Sequence, residues 1–349
     1  MDITIVAASV VSFATSLLLI PKLIKFLKSV GMVGIDVQKP NKPEVAEMGG
    51  PAVISGFLAG MFLFIWLNVF AFSGNLLSPA NLAGIFAGMS TILLIMVIGM
   101  FDDMTRLQKK SEGVKGFERY KRVGWKQWQK PLLTLPAAIP LMAIMAGNST
   151  MSIPLLGVVD LGILYPLLIV PAGVVGASNA VNMLAGFNGL EAGMGFVTLV
   201  FMGIFGYING ELAAASIAFV MAAAVLAFLR YNWYPARILP GDSFVYAMGA
   251  AMAVIAIIGN MEKFALYIFT PWIIELALKL RSGLAAENYG VLRKGGILKP
   301  KYDKPYSLTH VVMMSGDFKE WQVSAILICV QVVVCAASLL LVSGFVLRY

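Results

Sequence analysis

The stretch GIFAGMSTILLIMVIGMFDDMTRL, residues 84–107, has no charge from Gly84 to Phe101 and then ends in Asp102, Asp103 and Arg106. As a helix the uncharged part is about 27 Å long, close to the ~30 Å hydrocarbon thickness of a bilayer. It has no polar face to turn to water, so it reads as a membrane span. Windows of the same kind recur at approximately 3–24, 51–72, 131–147, 161–179, 193–209, 212–229, 243–260, 264–280 and 322–346, with 82–101 making ten. The chain has 349 residues, is 59% hydrophobic and only 13% charged, and its mean hydropathy is +0.85. A soluble protein carries about a quarter charged residues, so a large soluble core does not explain this composition.

The reading is therefore an all-α, polytopic membrane protein of about ten spans, with residues 1–349 forming one integral membrane domain. The first window lacks a basic leader and a small-residue cleavage site, so it reads as a retained helix. All of the 26 Lys and Arg except Lys263 and Arg348 fall after the odd-numbered spans or on their flanks. By the positive-inside rule those loops face the cytoplasm, which places both termini outside. Three of them are long: 25–50, the basic loop 102–130 and the loop 281–320 before the last span. The last of these has a turn-like stretch that predicts a hairpin around Gly295 and Gly296. Gly56/Gly60 and Gly84/Gly88 predict close helix packing. Cys329 and Cys335 lie on one helix about 9 Å apart along its axis, too far for a disulfide.

The polar motifs all reach the basic face. Asp102 and Asp103 sit at the negative end of a helix dipole, where carboxylates are disfavoured. They form either a solvated pair balanced by Arg106 or a metal or general-base site. Asn179 and Asn182 share a helix face, and Asn188 follows between Gly186 and Gly189. Asp242 precedes an apolar run as a helix cap would, or joins the acids and amides as a ligand for a hard cation. Lys130 opens the fourth window, fitting both a phosphate contact and a positive-inside anchor. The aromatic and basic residues at 117–128 suit an interface against anionic headgroups. Because the basic residues follow the membrane face, nucleic acid is excluded as a partner. The single histidine, His310, suits a structural hydrogen-bonding role better than catalysis.

Four segments stand in order on this face: AEMGGPAVISG (46–56), GMFDDMTRL (99–107), NAVNMLAGFNGLEAG (179–193) and YNWYPARILPGDSF (231–244). Together they resemble the polyprenyl-phosphate N-acetylhexosamine-1-phosphate transferase superfamily. Within it the chain is similar to the archaeal and eukaryotic UDP-GlcNAc:dolichyl-phosphate GlcNAc-1-phosphate transferases, with Ala185 and Asn188 where bacterial relatives usually carry acids. A histidine-rich loop is missing, which argues against a muramoyl-peptide substrate. The compact last loop argues for an archaeal protein, in which the plasma membrane would be the location.

The resemblance implies that Asn182 and Asp242 ligate Mg²⁺, with Mn²⁺ as the alternative ion. It implies that Asn188 and the Gly189 backbone hold uracil, that Lys130 contacts the pyrophosphate, and that Asp102 or Asp103 assists the nucleophile. Glu47, Asn179 and His310 complete the expected substrate-binding set, with Arg281 or Arg293 for the sugar. Leu239 stands where the family often has an aromatic residue. The implied partners are UDP-GlcNAc, dolichyl or another polyprenyl phosphate, the membrane lipid, and a second copy of the chain as a homodimer. The same chemistry with another UDP-N-acetylhexosamine or with undecaprenyl phosphate is the near alternative. A transporter is the alternative from another class, and it predicts polar groups at the bilayer midplane rather than at one interface.

Overall fold

The structure, a computed structural model, describes residues 2–71, 77–105, 109–111, 119–121, 129–153 and 157–346. Its helices are α1 (Ile3–Ser29), α2 (Gly50–Trp66), α3 (Pro79–Thr105), α4 (Gln129–Thr134), α5 (Ile139–Ala143), α6 (Val170–Met183) and α7 (Leu190–Ile208). They continue with α8 (Leu212–Asn232), α9 (Gly241–Ile258), α10 (Glu262–Ile268), α11 (Thr270–Leu280), α12 (Leu308–Ser315) and α13 (Glu320–Val346). Among the described residues, eight helices are long and apolar enough to cross a membrane. Two of these include a π-helical turn, Leu67–Ala71 after α2 and Tyr165–Ile169 before α6. The chain is an integral membrane protein.

The other two expected spans are interrupted. Residues 131–147 hold Pro131, Pro136 and Pro140, and there α4, a 3₁₀ turn and α5 replace one continuous helix. Proline removes a backbone donor and clashes with the preceding turn. The 264–280 window is divided between α10 and α11 at Pro271, which lacks the N–H that would continue the ladder to the Tyr267 carbonyl and sits instead in the first turn of α11. A hydropathy window averages across such breaks and does not see them.

The central element is α9, buried at every residue from Asp242 to Ile257. A helix that is apolar all round suits this position. Lipid gives helices no hydrophobic reason to associate, so close packing by small residues does that work. A Cβ on Gly249 would come within 2.3 Å of the Ala177 carbonyl oxygen of α6, and one on Gly88 within 2.6 Å of Val254. On the other side, a Cβ on Gly56 or Gly60 would run into Ser16 or the Ala8 carbonyl of α1. Gly56, Gly60 and Gly88 thus mark close helix packing, as expected, while Gly84 makes only an ordinary contact with Ile258.

The all-α expectation needs one correction, because short strands organise the polar loops. β1 (Val33–Ile35) pairs antiparallel with β2 (Glu44–Glu47). Next along the chain, β3 (Lys109–Ser111) pairs with β4 (Arg119–Lys121), and β5 (Thr150–Ile153) with β6 (Gly157–Asp160). β7 (Ile238–Leu239) runs parallel to β2. β8 (Gly290–Leu292) and β9 (Ile297–Pro300) form the hairpin expected around Gly295 and Gly296, both at positive φ, and β10 (Phe318–Lys319) joins β9. Runs of two to four residues are too short for a period-two signal. Most of the basic loop 102–130 lies outside the described residues, including Arg106 and the side chains of Phe117, Tyr120, Trp125 and Trp128. Of the cysteines, Cys335 is buried and Cys329 exposed, and both are free.

Candidate active site

The site is built where α3 ends and α9 begins. Pro240 and Gly241 turn the chain into α9, with Gly241 at φ +68°. A Cβ there would lie 2.6 Å from Oδ2 of Asp103, so glycine serves both the backbone angle and the contact. The backbone N–H groups of Asp242 and Ser243 donate to Asp103 Oδ1 and Oδ2 at 2.6 and 3.0 Å. A carboxylate at the negative end of α3 is thereby compensated at the positive end of α9. The capping expected of Asp242 is performed by Asp103 from another helix, and Asp242 is left in the first turn.

Its carboxylate meets a cation. Lys130 Nζ is 2.8 Å from Asp242 Oδ2 and 2.8 Å from Asp102 Oδ2, with all three side chains buried or nearly so. The same ammonium stands 5.6 Å from the ring centre of Tyr246, whose hydroxyl receives Asn182 Nδ2 at 3.3 Å. Asn179 Nδ2 turns back onto the Val175 carbonyl at 2.8 Å. Two carboxylates and an amide converge here, and the ammonium shows that the space between the carboxylates accepts positive charge. Hard oxygen donors of this kind fit Mg²⁺, which is usually held by one or two carboxylates and keeps positions for water and phosphate. The amide nitrogen of Asn182 is engaged by Tyr246, which leaves its oxygen as the donor toward a cation.

Of these groups Lys130, Asp242, Asn179 and Asn182 line a cavity of about 540 Å³, with Asp102 and Asp103 behind them. Its walls come from the 185–188 turn, the 284–289 segment, Glu47 of β2 and Leu239 of β7. Asn188 is a structural hub. Its Oδ1 accepts from Lys39 Nζ (3.1 Å) and from the Ala236 N–H (2.9 Å), and its Nδ2 donates to Asp36 (3.2 Å). Its backbone N–H donates to Glu320 at 2.9 Å. Lys39 completes the network by pairing with both Asp36 and Glu320 and lying 4.3 Å over the Tyr234 ring. The Gly189 N–H is held by Asn232 Oδ1 at 3.2 Å, and φ +78° at Gly189 starts α7. Asn288 Nδ2 reaches the Met183 and Ala185 carbonyls, both at 2.8 Å, tying the 284–289 wall to the end of α6.

The structure therefore brings together Asp102, Asp103, Lys130, Asn179, Asn182, Asn188, Glu47 and Asp242. It does not bring in the two arginines. Arg281 and Arg293 are exposed and do not line the cavity, and Arg281 Nη1 is 3.4 Å from the Pro305 carbonyl. The lysine on that side is Lys279, in the last turn of α11, buried against the Ala286 carbonyl and lining the cavity. His310 stands behind this wall. It is fully buried, its Nδ1 accepts the Tyr306 N–H at 3.3 Å, and burial with nearby Lys279 pushes its pKa down to about 4. Lys39, Asp36, Lys279, Asn288, Tyr289 and Glu320 were not expected from the sequence. Each stands at the end of an apolar run or in a loop, where anchors and solvated residues look alike. Tyr289 supplies an aromatic ring to the cavity, close enough that a Cβ on Gly186 would touch it at 2.7 Å.

The profile of the family described as glycosyl transferase family 4 matches residues 85–260. A Saccharolobus solfataricus protein provisionally named UDP-N-acetylglucosamine–dolichyl-phosphate N-acetylglucosaminephosphotransferase is 34% identical, over 91% of this chain and 90% of that protein. A Dictyostelium discoideum UDP-N-acetylglucosamine–dolichyl-phosphate N-acetylglucosaminephosphotransferase is 26% identical over 94% and 86%. A Streptococcus thermophilus phospho-N-acetylmuramoyl-pentapeptide-transferase is 27% identical over 98% of both chains.

Proposed function

The chain belongs to glycosyl transferase family 4, and from that premise we propose that it transfers GlcNAc-1-phosphate from UDP-GlcNAc to dolichyl phosphate. The products are lipid-diphospho-GlcNAc and UMP. The observation that carries this reading is the Lys130 ammonium shared by Asp102 and Asp242 at the end of a 540 Å³ cavity. A sugar nucleotide diphosphate brings negative charge that such a site can receive.

In the reaction an oxygen of the acceptor phosphate attacks the β-phosphorus. The bond from that phosphorus to the bridging oxygen breaks, and UMP leaves with that oxygen. The acceptor is already an anion, so no proton has to be removed, and positioning with charge neutralisation accounts for most of the acceleration. Lys130 lies against the diphosphate, and the two carboxylates fix its ammonium. Asp103 is a positioning residue, since its oxygens are occupied by the start of α9 and set the place of Asp242. Asp242 and Asn182 would hold a Mg²⁺, whose chemistry when bound is Lewis-acid neutralisation of phosphate charge. Asn188, fixed on both sides, and the Tyr289 ring shape the end that takes the base. Lys279 lies nearest to the role expected of Arg281 or Arg293.

The proposal includes ten crossings, with the broken α4–α5 and α10–α11 segments completing the set, and the cavity open to the cytoplasm. The distribution of Lys and Arg supports that orientation. The acceptor then approaches sideways from the bilayer.

A substrate panel tests the assignment. Purified protein in lipid with Mg²⁺ receives labelled UDP-GlcNAc, UDP-GalNAc or UDP-MurNAc-pentapeptide, each with dolichyl or undecaprenyl phosphate. Labelled lipid from UDP-GlcNAc with dolichyl phosphate, at the highest kcat/KM, is the expected outcome. Preference for the muramoyl nucleotide would reject this substrate while leaving the chemistry intact.

A further inference from the structure

A second hollow, of about 690 Å³, lies between α1 and the end of α8. Phe13, Leu17, Leu226 and Leu229 form its apolar part, and Arg230 and Arg237 lie at its polar end. Both guanidinium groups are exposed, and among the described residues neither has a carboxylate within ion-pair distance. No residue lining the hollow is acidic. The Arg237 backbone N–H bonds the Tyr231 carbonyl at 2.8 Å, which folds the segment between the two arginines into a turn. Two cations therefore stand at the end of an apolar groove, on the face where the basic residues collect.

We propose that this groove is a binding site for an anionic phospholipid. Its phosphate lies between Arg230 and Arg237, and an acyl chain runs along Leu17 and Leu229. Arginine forks match phosphate oxygens in a way that a diffuse charge does not. The occupant is distinct from the lipid acceptor of the reaction. An acceptor phosphate has to reach Lys130, whereas the 232–240 segment separates the groove from the cavity. Trp233 and Tyr234 of that segment face the groove, while Asn232, Leu239 and Pro240 line the cavity. The segment is also tied to the cavity wall, through Asn232 to Gly189 and through the Ala236 N–H to Asn188. A lipid held in the groove thus braces the backbone that fixes Asn188.

The test uses full-length protein in nanodiscs of phosphatidylcholine mixed with phosphatidylglycerol, with retained lipid counted by native mass spectrometry. The wild type should retain one phosphatidylglycerol in preference to phosphatidylcholine. About fivefold per arginine, and so roughly thirtyfold together, is the scale for two basic residues near an anionic surface. Arg230→Gln/Arg237→Gln should lose that preference while its acceptor KM in pure phosphatidylcholine stays unchanged. Equal retention by the variant would overturn the proposal, leaving the arginines as plain interface anchors. So would a raised acceptor KM, or displacement of phosphatidylglycerol by polyprenyl phosphate, since either makes the groove the acceptor's path. If the double variant does not fold, quenching of Trp233 by brominated lipids in the wild type, measured against Trp233→Phe, decides instead. Stronger quenching by the brominated phosphatidylglycerol supports the site, and equal quenching by both lipids rejects it.

Discussion

Asp103 and Asp242 are 139 residues apart, yet the carboxylate of the first accepts the backbone N–H of the second at 2.6 Å and that of Ser243 at 3.0 Å. The two neighbouring acids that end α3 therefore do different things. Asp103 anchors the start of α9, and Asp102 reaches sideways to Lys130. Asp103→Asn should replace one acceptor with a donor facing a backbone N–H. The expected loss is about 1–3 kcal/mol of stability, read by thermal unfolding in detergent, with kcat reduced by about tenfold. A loss of many orders of magnitude in kcat with unchanged stability would make Asp103 a catalytic base instead.

Lys130 is the shared counter-ion of Asp102 and Asp242, at 2.8 Å from each. Lys130→Met leaves two buried carboxylates facing each other and should cost about 3–5 kcal/mol. Adding Asp102→Asn should recover much of that stability and none of the activity. A double-mutant cycle on unfolding and on turnover checks both halves. Additive stability effects would contradict the shared-ion account.

Lys279 lines the cavity, while Arg281 and Arg293 stand outside it. Lys279→Gln should raise KM for the sugar nucleotide by about tenfold, or ~1.4 kcal/mol. Arg281→Gln and Arg293→Gln should each change it less than about twofold, since exposed charges contribute little. Steady-state kinetics on the three variants decides, and the reverse order would return the role to an arginine.

His310 is neutral in the fold because burial pushes its pKa from 6.5 to about 4. Between those values the unfolded chain binds the extra proton, so stability falls as pH drops from 6.5 toward 4 and is fully present above 6.5. His310→Asn should flatten the pH dependence of unfolding in that window. Parallel loss of stability in wild type and variant would contradict it.

Much of this was legible in the sequence, for a physical reason. Asp102, Lys130, Asn182 and Asp242 each stand at the end of an apolar run, and ends of runs on one membrane face meet when the helices pack. The division of labour between the two acids was not legible, because it depends on α9 arriving opposite α3 through Gly99 and Gly241, where a Cβ on either glycine would touch the other side at 2.6 Å. Nor was the choice of Lys279, since a charged residue near a helix end looks like an interface anchor until its neighbours are known. The breaks in the fourth and ninth windows are written in Pro131, Pro136, Pro140 and Pro271, which a hydropathy average passes over. The Lys39–Asp36–Glu320–Asn188 network joins three distant segments, and no local pattern announces it.

The central claim is attack at the β-phosphorus in the cavity lined by Lys130 and Asp242, with Asp102 behind Lys130. UDP-GlcNAc labelled with ³²P at the β-position tests it most directly, in lipid with dolichyl phosphate and Mg²⁺, for the wild type and for Asp242→Asn. The account predicts that the label moves into the lipid product, that the released UMP is unlabelled, and that Asp242→Asn yields neither product. Label retained in released UDP while the sugar moves to the lipid would mean attack at the sugar carbon and would contradict it.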